Sequence, residues 1–280
     1  MDWAVVEVDS LNVPSPRTSF ACCIWADSLY IHGGWGLDGS LGDFWRFGTI
    51  GNVWHSLSDS TGQMPGPRSH HTLTAMASGN FYLIGGFVNR DDCTSDMFEY
   101  IPHTKKWSRV LPQGVPMSAR AGHIAVRVGK NIVIHGGIRP SGGVSNEIHI
   151  LNTETMTLAN PLKIASGPSL SKHAAVELDE VIYVFGGVTD GNTLSSTLYA
   201  FDPWSNVWNV IPPPRGQGLA PCARSGHCMV ATGTSQFLLF GGWGPNHVPL
   251  QDCWIFHTDT KYWEPFTGGS SGVRPWELDG

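Results

Sequence analysis

Phe81-Tyr82-Leu83-Ile84-Gly85-Gly86 is an apolar run closed by two glycines, and the chain writes it five times. Its counterparts are Leu29-Tyr30-Ile31-His32-Gly33-Gly34, Ile132-Val133-Ile134-His135-Gly136-Gly137, Ile182-Tyr183-Val184-Phe185-Gly186-Gly187 and Phe237-Leu238-Leu239-Phe240-Gly241-Gly242. From first glycine to first glycine the spacings are 52, 51, 50 and 55 residues. A period of that size marks a repeat architecture, in which each repeat is one unit that buries its apolar faces against its neighbours.

Four segments hold their phase around each glycine pair. A turn with proline and a base opens the repeat: Pro14-Ser15-Pro16-Arg17, Pro65-Gly66-Pro67-Arg68, Pro116 to Arg120, Pro168 to Lys172 and Pro221-Cys222-Ala223-Arg224. A strand of small residues follows, led by His71, His123, His173 and His227 in four repeats and by Phe20 in the first. After the Gly-Gly strand comes an alternating one, such as Asp96-Met97-Phe98-Glu99-Tyr100 or Thr197-Leu198-Tyr199-Ala200-Phe201, whose period of two commits one face to a core. The last segment is led by Trp54, Trp107, Thr157, Trp208 and Trp263, so the third repeat alone lacks the indole. No helical period competes with this pattern.

The bulk numbers agree. With 280 residues, 34 Gly, 19 Pro and 12 Trp against only 14% charged residues, the chain has the turn formers and large aromatics that many short strands require. A net charge of −6 offers no basic field for phosphates, which argues against nucleic acid. The six cysteines form no CxxC pair and signal neither a zinc site nor a disulfide framework. No apolar run approaches the ~18 residues of a membrane span, and the start lacks a signal-peptide pattern. The expectation is a soluble protein of the cytoplasm, with the nucleus as the alternative compartment.

The Pro-x-x-Arg turn, the histidine, the Gly-Gly strand, the aromatic third strand and the late Trp together resemble the Kelch repeat, over roughly residues 1 to 275. The resemblance implies an all-β Kelch-type β-propeller of five complete four-stranded blades in one domain, with repeats at about 14–57, 65–110, 116–160, 168–211 and 221–266 and a tail at 276–280. Trp3 to Val8 reads as an orphan outer strand, because Arg17 follows Trp3 at the distance by which Arg68 follows Trp54. Gly272-Val273-Arg274-Pro275 repeats the opening turn, which leaves a six-bladed ring as the alternative to direct closure of five.

Residues that recur in phase serve the same structural purpose in each blade, so the histidines are expected to bond within the scaffold rather than to hold a metal. Some propellers similar to Kelch proteins are metal-dependent or sugar-processing enzymes, and that is the alternative function. Their copper or iron ligands have no counterpart here in a cluster of Tyr, Cys and His, nor in a Glu-x-x-x-Asp-x-x-x-His run; no cofactor, metal or catalytic residue is assigned. Function is expected in the residues that break phase, on loops that the blades hold rigidly.

The loops after Gly-Gly and the opening turns emerge at one end of a propeller. Trp35, Ser69, His70, Phe87, Asn89, Arg90, Arg139, Trp243, Asn246 and His247 are therefore the candidate partner-binding residues. Aromatic area combined with several donors is the composition of binding hot spots. By position, the resemblance to peptide-capturing Kelch propellers implies that Arg90, Arg139, Asn89, His70 and Ser69 meet an acidic group or a C-terminal carboxylate. The implied function is a protein-interaction module, a substrate receptor or scaffold adaptor, whose protein or peptide partner the residues do not name.

Overall fold

A computed structural model describes residues 6–8, 12–159, 167–213 and 219–266. Five sheets stand around a common axis as a β-propeller, antiparallel except where Thr61–Gly62 and Gln113–Gly114 add a short parallel strand to the outer edges of the second and third. Blade 1 comprises Ala21–Trp25, Ser28–Gly36, Gly39–Gly48 and Val53–Ser56. Blade 2 comprises Thr72–Ala75, Phe81–Ile84, Met97–Ile101 and Lys106–Val110, and blade 3 Ile124–Val128, Asn131–His135, Ile148–Asn152 and Thr157–Leu158. Blade 4 comprises Ala174–Leu178, Val181–Phe185, Leu198–Asp202 and Val207–Ile211, and blade 5 Cys228–Ala231, Gln236–Phe240, Cys253–His257 and Tyr262–Pro265. In each blade the first strand lies at the axis and the fourth at the rim. The orphan strand read at Trp3 to Val8 falls largely outside the described residues; Val6–Val8 are described, are exposed and carry no strand pairing. Gly272 to Pro275 also lie outside them.

Alternation along each strand sends successive side chains to opposite faces, so blades 2, 3 and 4 each contribute to two of the described cores and blades 1 and 5 to one. Phe81 and Leu83 pack toward Tyr30 and Phe44 of blade 1, while Tyr82 and Ile84 pack toward Ile132 and Ile134 of blade 3. Further cores join blades 3 and 4, around Val133, Ile182 and Val184, and blades 4 and 5, around Phe185, Phe237 and Leu239. The late tryptophan closes such a joint. Trp107 is 0% exposed and lies 5.2 Å from Phe44 of the preceding blade and 4.9 Å from Tyr100 of its own, ring centre to ring centre. Offset aromatic pairs of this kind add ~0.5–1.5 kcal/mol beyond their buried area. In blade 3, where Thr157 replaces the indole, Leu158 and Leu151 fill the joint instead.

Backbone bonds make the same connections. The amide of the second glycine donates to the carbonyl of the next blade's opening turn: Gly34 to Arg68 at 2.9 Å, Gly86 to Arg120 at 2.9 Å, Gly137 to Leu170 at 2.8 Å and Gly187 to Arg224 at 2.8 Å. Nearer the axis, His70 donates to Ser19, Gly122 to His70, Lys172 to Gly122 and Gly226 to Lys172, an arc of four bonds through residues of like phase. Among the described residues no apolar cluster, and neither type of backbone bond, joins blade 5 to blade 1. Trp54, on the face of blade 1 turned toward that joint, is only half-buried and rests on its own blade's Phe47 at 5.0 Å.

The joints explain why the first glycine recurs. Gly136 has φ +74°, and a Cβ there would lie 2.3 Å from the Leu170 carbonyl oxygen of blade 4. Gly241 has nearly the same φ, +67°, but its nearest neighbour would be Leu250 of its own blade, at 3.3 Å. Gly136→Ala should therefore cost about 3 kcal/mol or more, since blade 4 would have to move, and Gly241→Ala only the ~1–2 kcal/mol of a left-handed alanine. Urea unfolding of the two variants measures the difference; equal losses would mean that the joints do not set the spacing.

Candidate functional site

The opening turn is braced by its arginine in four of the five repeats, through Arg17, Arg68, Arg120 and Arg224. Arg120 Nη1 donates to the Gly136 carbonyl at 3.0 Å and Nη2 to Glu147 at 2.6 Å, while Arg224 bonds the Gly241 carbonyl at 3.0 Å and both oxygens of Asp252 at 2.6 and 2.7 Å. Both arginines are 0% exposed, so they hold blades rather than face a ligand. Beside these braces, the residue after Gly-Gly pairs through its backbone with the residue after the arginine: Thr18 with Trp35, Ser69 with Phe87, Ala121 with Ile138 and Ser225 with Trp243. The expected sharing of one rim is thus physical contact.

At this end the axis opens into a cavity of about 1260 Å³. Its walls include Ser19, His70, Lys172, Asn192, Thr193, Trp243, Asn246 and His247. Of the ten candidates, the structure brings His70, Trp243, Asn246 and His247 to this cavity. Trp243 is 52% exposed, and a left-handed turn at Asn246 and His247 keeps both side chains in the open.

The other six candidates are engaged elsewhere. Ser69 is buried and Phe87 half-buried. Asn89 orders its own loop, accepting from the amides of Asp91 and Asp92 at 3.0 and 2.8 Å. The Arg90 guanidinium lies over the Trp35 ring at 5.8 Å, and Arg139 pairs with Glu147 at 3.1 Å and with Ser145. None of these six lines the cavity.

Lys172 is the residue that the sequence reading misplaced. It stands where a turn base is expected, but the buried Leu170 occupies the arginine's place, since its carbonyl receives the Gly137 amide. Lys172 lies two residues further on, in phase with Ser19, His70, Gly122 and Gly226, all left-handed residues around the axis. Freed from bracing, its ammonium has no hydrogen bond or ion pair among the described residues. Among the described residues it is the sole Lys or Arg on the cavity wall, and no Asp or Glu lines that wall, in a chain of net charge −6. The three-residue offset of Arg68, Arg120 and Arg224 from His71, His123 and His227 is the signal that locates it. Asn192 and Thr193 were missed because no candidate was drawn from the fourth repeat's loop after Gly187.

His70 faces the same cavity, with Nε2 3.1 Å from Ser19 Oγ. Burial, helped by the Lys172 ammonium, lowers its pKa to about 4. The phased histidines lie behind it and bond mainly to the preceding blade's side chains rather than to backbone carbonyls. His71 meets His32 at 3.0 Å, His173 meets His135 at 3.1 Å and His123 meets Thr72 at 3.2 Å. Among the described residues no three His, Cys, Asp or Glu side chains are arranged to hold a metal.

A matching family model describes the KLHDC2/KLHL20/DRC7 Kelch-repeats domain, over residues 1–137 and 122–277. The chain belongs to the Kelch-repeat family. Among curated relatives of this Kelch chain are Kelch domain-containing protein 3 of Bos taurus, 26% identical over 84% of the chain and 63% of the relative, and acyl-CoA-binding domain-containing protein 4 of Arabidopsis thaliana, 28% identical over 89% of the chain and 38% of the relative. An F-box/kelch-repeat protein of Arabidopsis thaliana is 31% identical over 68% of the chain and 47% of the relative. The Kelch chain thus spans roughly one to two thirds of these relatives' lengths. Propellers of this family are typical protein-interaction modules.

The buried histidines make stability depend on acid. Burial first, and neighbouring arginines in addition, lower His32 and His123 to about 3; burial likewise takes His135 and His227 to about 3. A histidine whose folded pKa lies below its unfolded value, ~6.5, must be neutral to fold. The stability it allows is complete above that pH and falls as the pH drops toward the folded value, by up to ~1.4 kcal/mol per histidine per pH unit. Thermal melting should therefore be flat from pH 8 to 7 and fall steeply between pH 6 and 4; a flat profile across pH 6 to 4 would contradict neutral, buried rings.

Proposed function

We propose that this Kelch propeller is a binding module whose rim cavity takes an acidic peptide segment, an Asp or Glu side chain or a C-terminal carboxylate, paired with Lys172. One observation carries the reading: an ammonium without a partner among the described residues, on a cavity wall that holds no carboxylate. A half-buried cation gains from an anion because a charge-assisted bond inside a concavity is screened less than one in open water. His70 stays neutral there, with its ring nitrogens bonded to Ser19 and Ser69, so the anion's charge is left to Lys172. Trp243 supplies rigid apolar area for the residues beside the carboxylate. The mechanism is equilibrium capture, with no bond made or broken. The wider role is the recognition part of a substrate receptor or scaffold adaptor, supported by the combination of F-box and Kelch repeats in the name of one relative.

A pool of random peptides with free C termini, passed over immobilised protein, should leave a retained fraction enriched in Asp and Glu, and retention should weaken with salt. For a peptide chosen from that fraction, Lys172→Ala should reduce affinity at least ~10-fold while Lys172→Arg retains most of it. Arg90→Ala should leave binding unchanged, because that guanidinium is held over Trp35 outside the cavity. Enrichment of neutral or basic peptides, or full binding by the Lys172→Ala variant, would overturn the reading.

A further inference from the structure

Four of the six cysteines lie on the two blades that flank the unjoined position of the ring: Cys22 and Cys23 on blade 1, Cys228 and Cys253 on blade 5. Strand alternation decides which of them face it. On Ala21–Trp25, Ala21 and Cys23 pack against the core shared with blade 2, so Cys22 and Ile24 point the other way, toward blade 5. On Cys228–Ala231, Met229 packs against the core shared with blade 4, so Cys228 and Val230 point toward blade 1. Cys253 shares the face of Cys228, through the register Cys228 to Phe240 to Cys253, but it is buried.

The Cys228 thiol lies near enough to Cys22 for its charge to bear on it. Ile24 and Val230, each two residues further along its strand, line one cavity of about 350 Å³ at the far end of the axis. Phe20 and Gly226, each two residues before, line the rim cavity. The leading ends of all five blades line both cavities, and Cys22 and Cys228 lie on the stretch of blades 1 and 5 between them. Both are exposed, as are Ile24 at 66% and Val230 at 45%, whereas the same strand in blade 4 is largely buried.

We propose that Cys22 and Cys228 are an oxidisable pair, which a peroxide converts into a disulfide across the joint between blade 5 and blade 1. One thiolate takes an oxygen from hydrogen peroxide, giving a sulfenic acid and hydroxide. The second thiolate attacks the sulfenic sulfur, forms the S–S bond and expels the oxygen as a second hydroxide. The two protons released by the thiols bring the balance to one disulfide and two waters. Each side chain keeps accessible surface, but the protein packed round its sulfur desolvates the thiolate, and this, with the neighbouring Cys228 in the case of Cys22, raises the pKa of each thiol above its ordinary value. The thiols are therefore protonated at neutral pH, and oxidation accelerates as the solution is made alkaline. A disulfide holds its Cα atoms within about 7 Å, so the bond draws the two axial strands together.

The test treats the full chain with hydrogen peroxide at pH 8.5, blocks residual thiols and maps tryptic peptides without reduction. The result expected is an intramolecular link between peptides 18–46 and 225–261, lost in Cys22→Ser and in Cys228→Ser but kept in Cys23→Ser and Cys253→Ser. Oxidised wild type should melt about 5 °C or more above the reduced form, a gain absent from Cys22→Ser. No link between these peptides, a link that survives Cys22→Ser or Cys228→Ser, or a link found only between separate molecules would overturn the proposal.

Discussion

The structure depends on a backbone contact repeated between blades: the amide of the second glycine of each pair reaches the carbonyl of the next blade's opening turn, with the first glycine pressed beneath that carbonyl. The approach is too close for a Cβ, as Gly136 against Leu170 illustrates. Each sheet is thereby tied to its successor by a bond that does not depend on side-chain identity. The apolar faces then close over it, with Trp107 and Trp263 as the largest pieces. Stability in such an array is a sum of blades and joints, which is why the spacing of the glycine pairs is kept while the loops between them change length.

The same division of labour separates scaffold from site. Arg120 and Arg224 are consumed by carbonyls and carboxylates of their own blades, and the phased histidines by their neighbours in the preceding one. A charge becomes available to a ligand only where a repeat departs from this plan. Blade 4 makes that departure: Leu170 takes the bracing position, and Lys172 enters the axial arc, where other blades place Ser19, His70, Gly122 or Gly226. The overall charge is negative, yet the concavity presents a cation without a carboxylate beside it.

The fold was legible because its determinants are periodic: glycine pairs, alternating third strands and late tryptophans each point to one blade, and their recurrence points to the ring. The site was legible only in part. Trp243, Asn246 and His247 follow from their place after Gly-Gly, and the structure puts them on the cavity wall. Arg90, Arg139 and Asn89 follow from the same reasoning, but Trp35, Glu147 and the Asp91–Asp92 amides occupy them, contacts between loops that no period encodes. Lys172 was hidden by a shift of two residues within a turn. The cysteines carry no spacing signature either, because Cys22 and Cys228 come to face each other only when the first and last blades are brought round the ring.

Hydrogen exchange of individual glycine amides tests the central claim most directly, since it reads each joint separately. The amides of Gly34, Gly86, Gly137 and Gly187 should exchange slowly, each being bonded across a joint, and that of Gly242, which has no such partner among the described residues, should exchange orders of magnitude faster. Fast exchange at the first four, or equal protection at all five, would contradict a ring held by these bonds, with none of them among the described residues between blade 5 and blade 1.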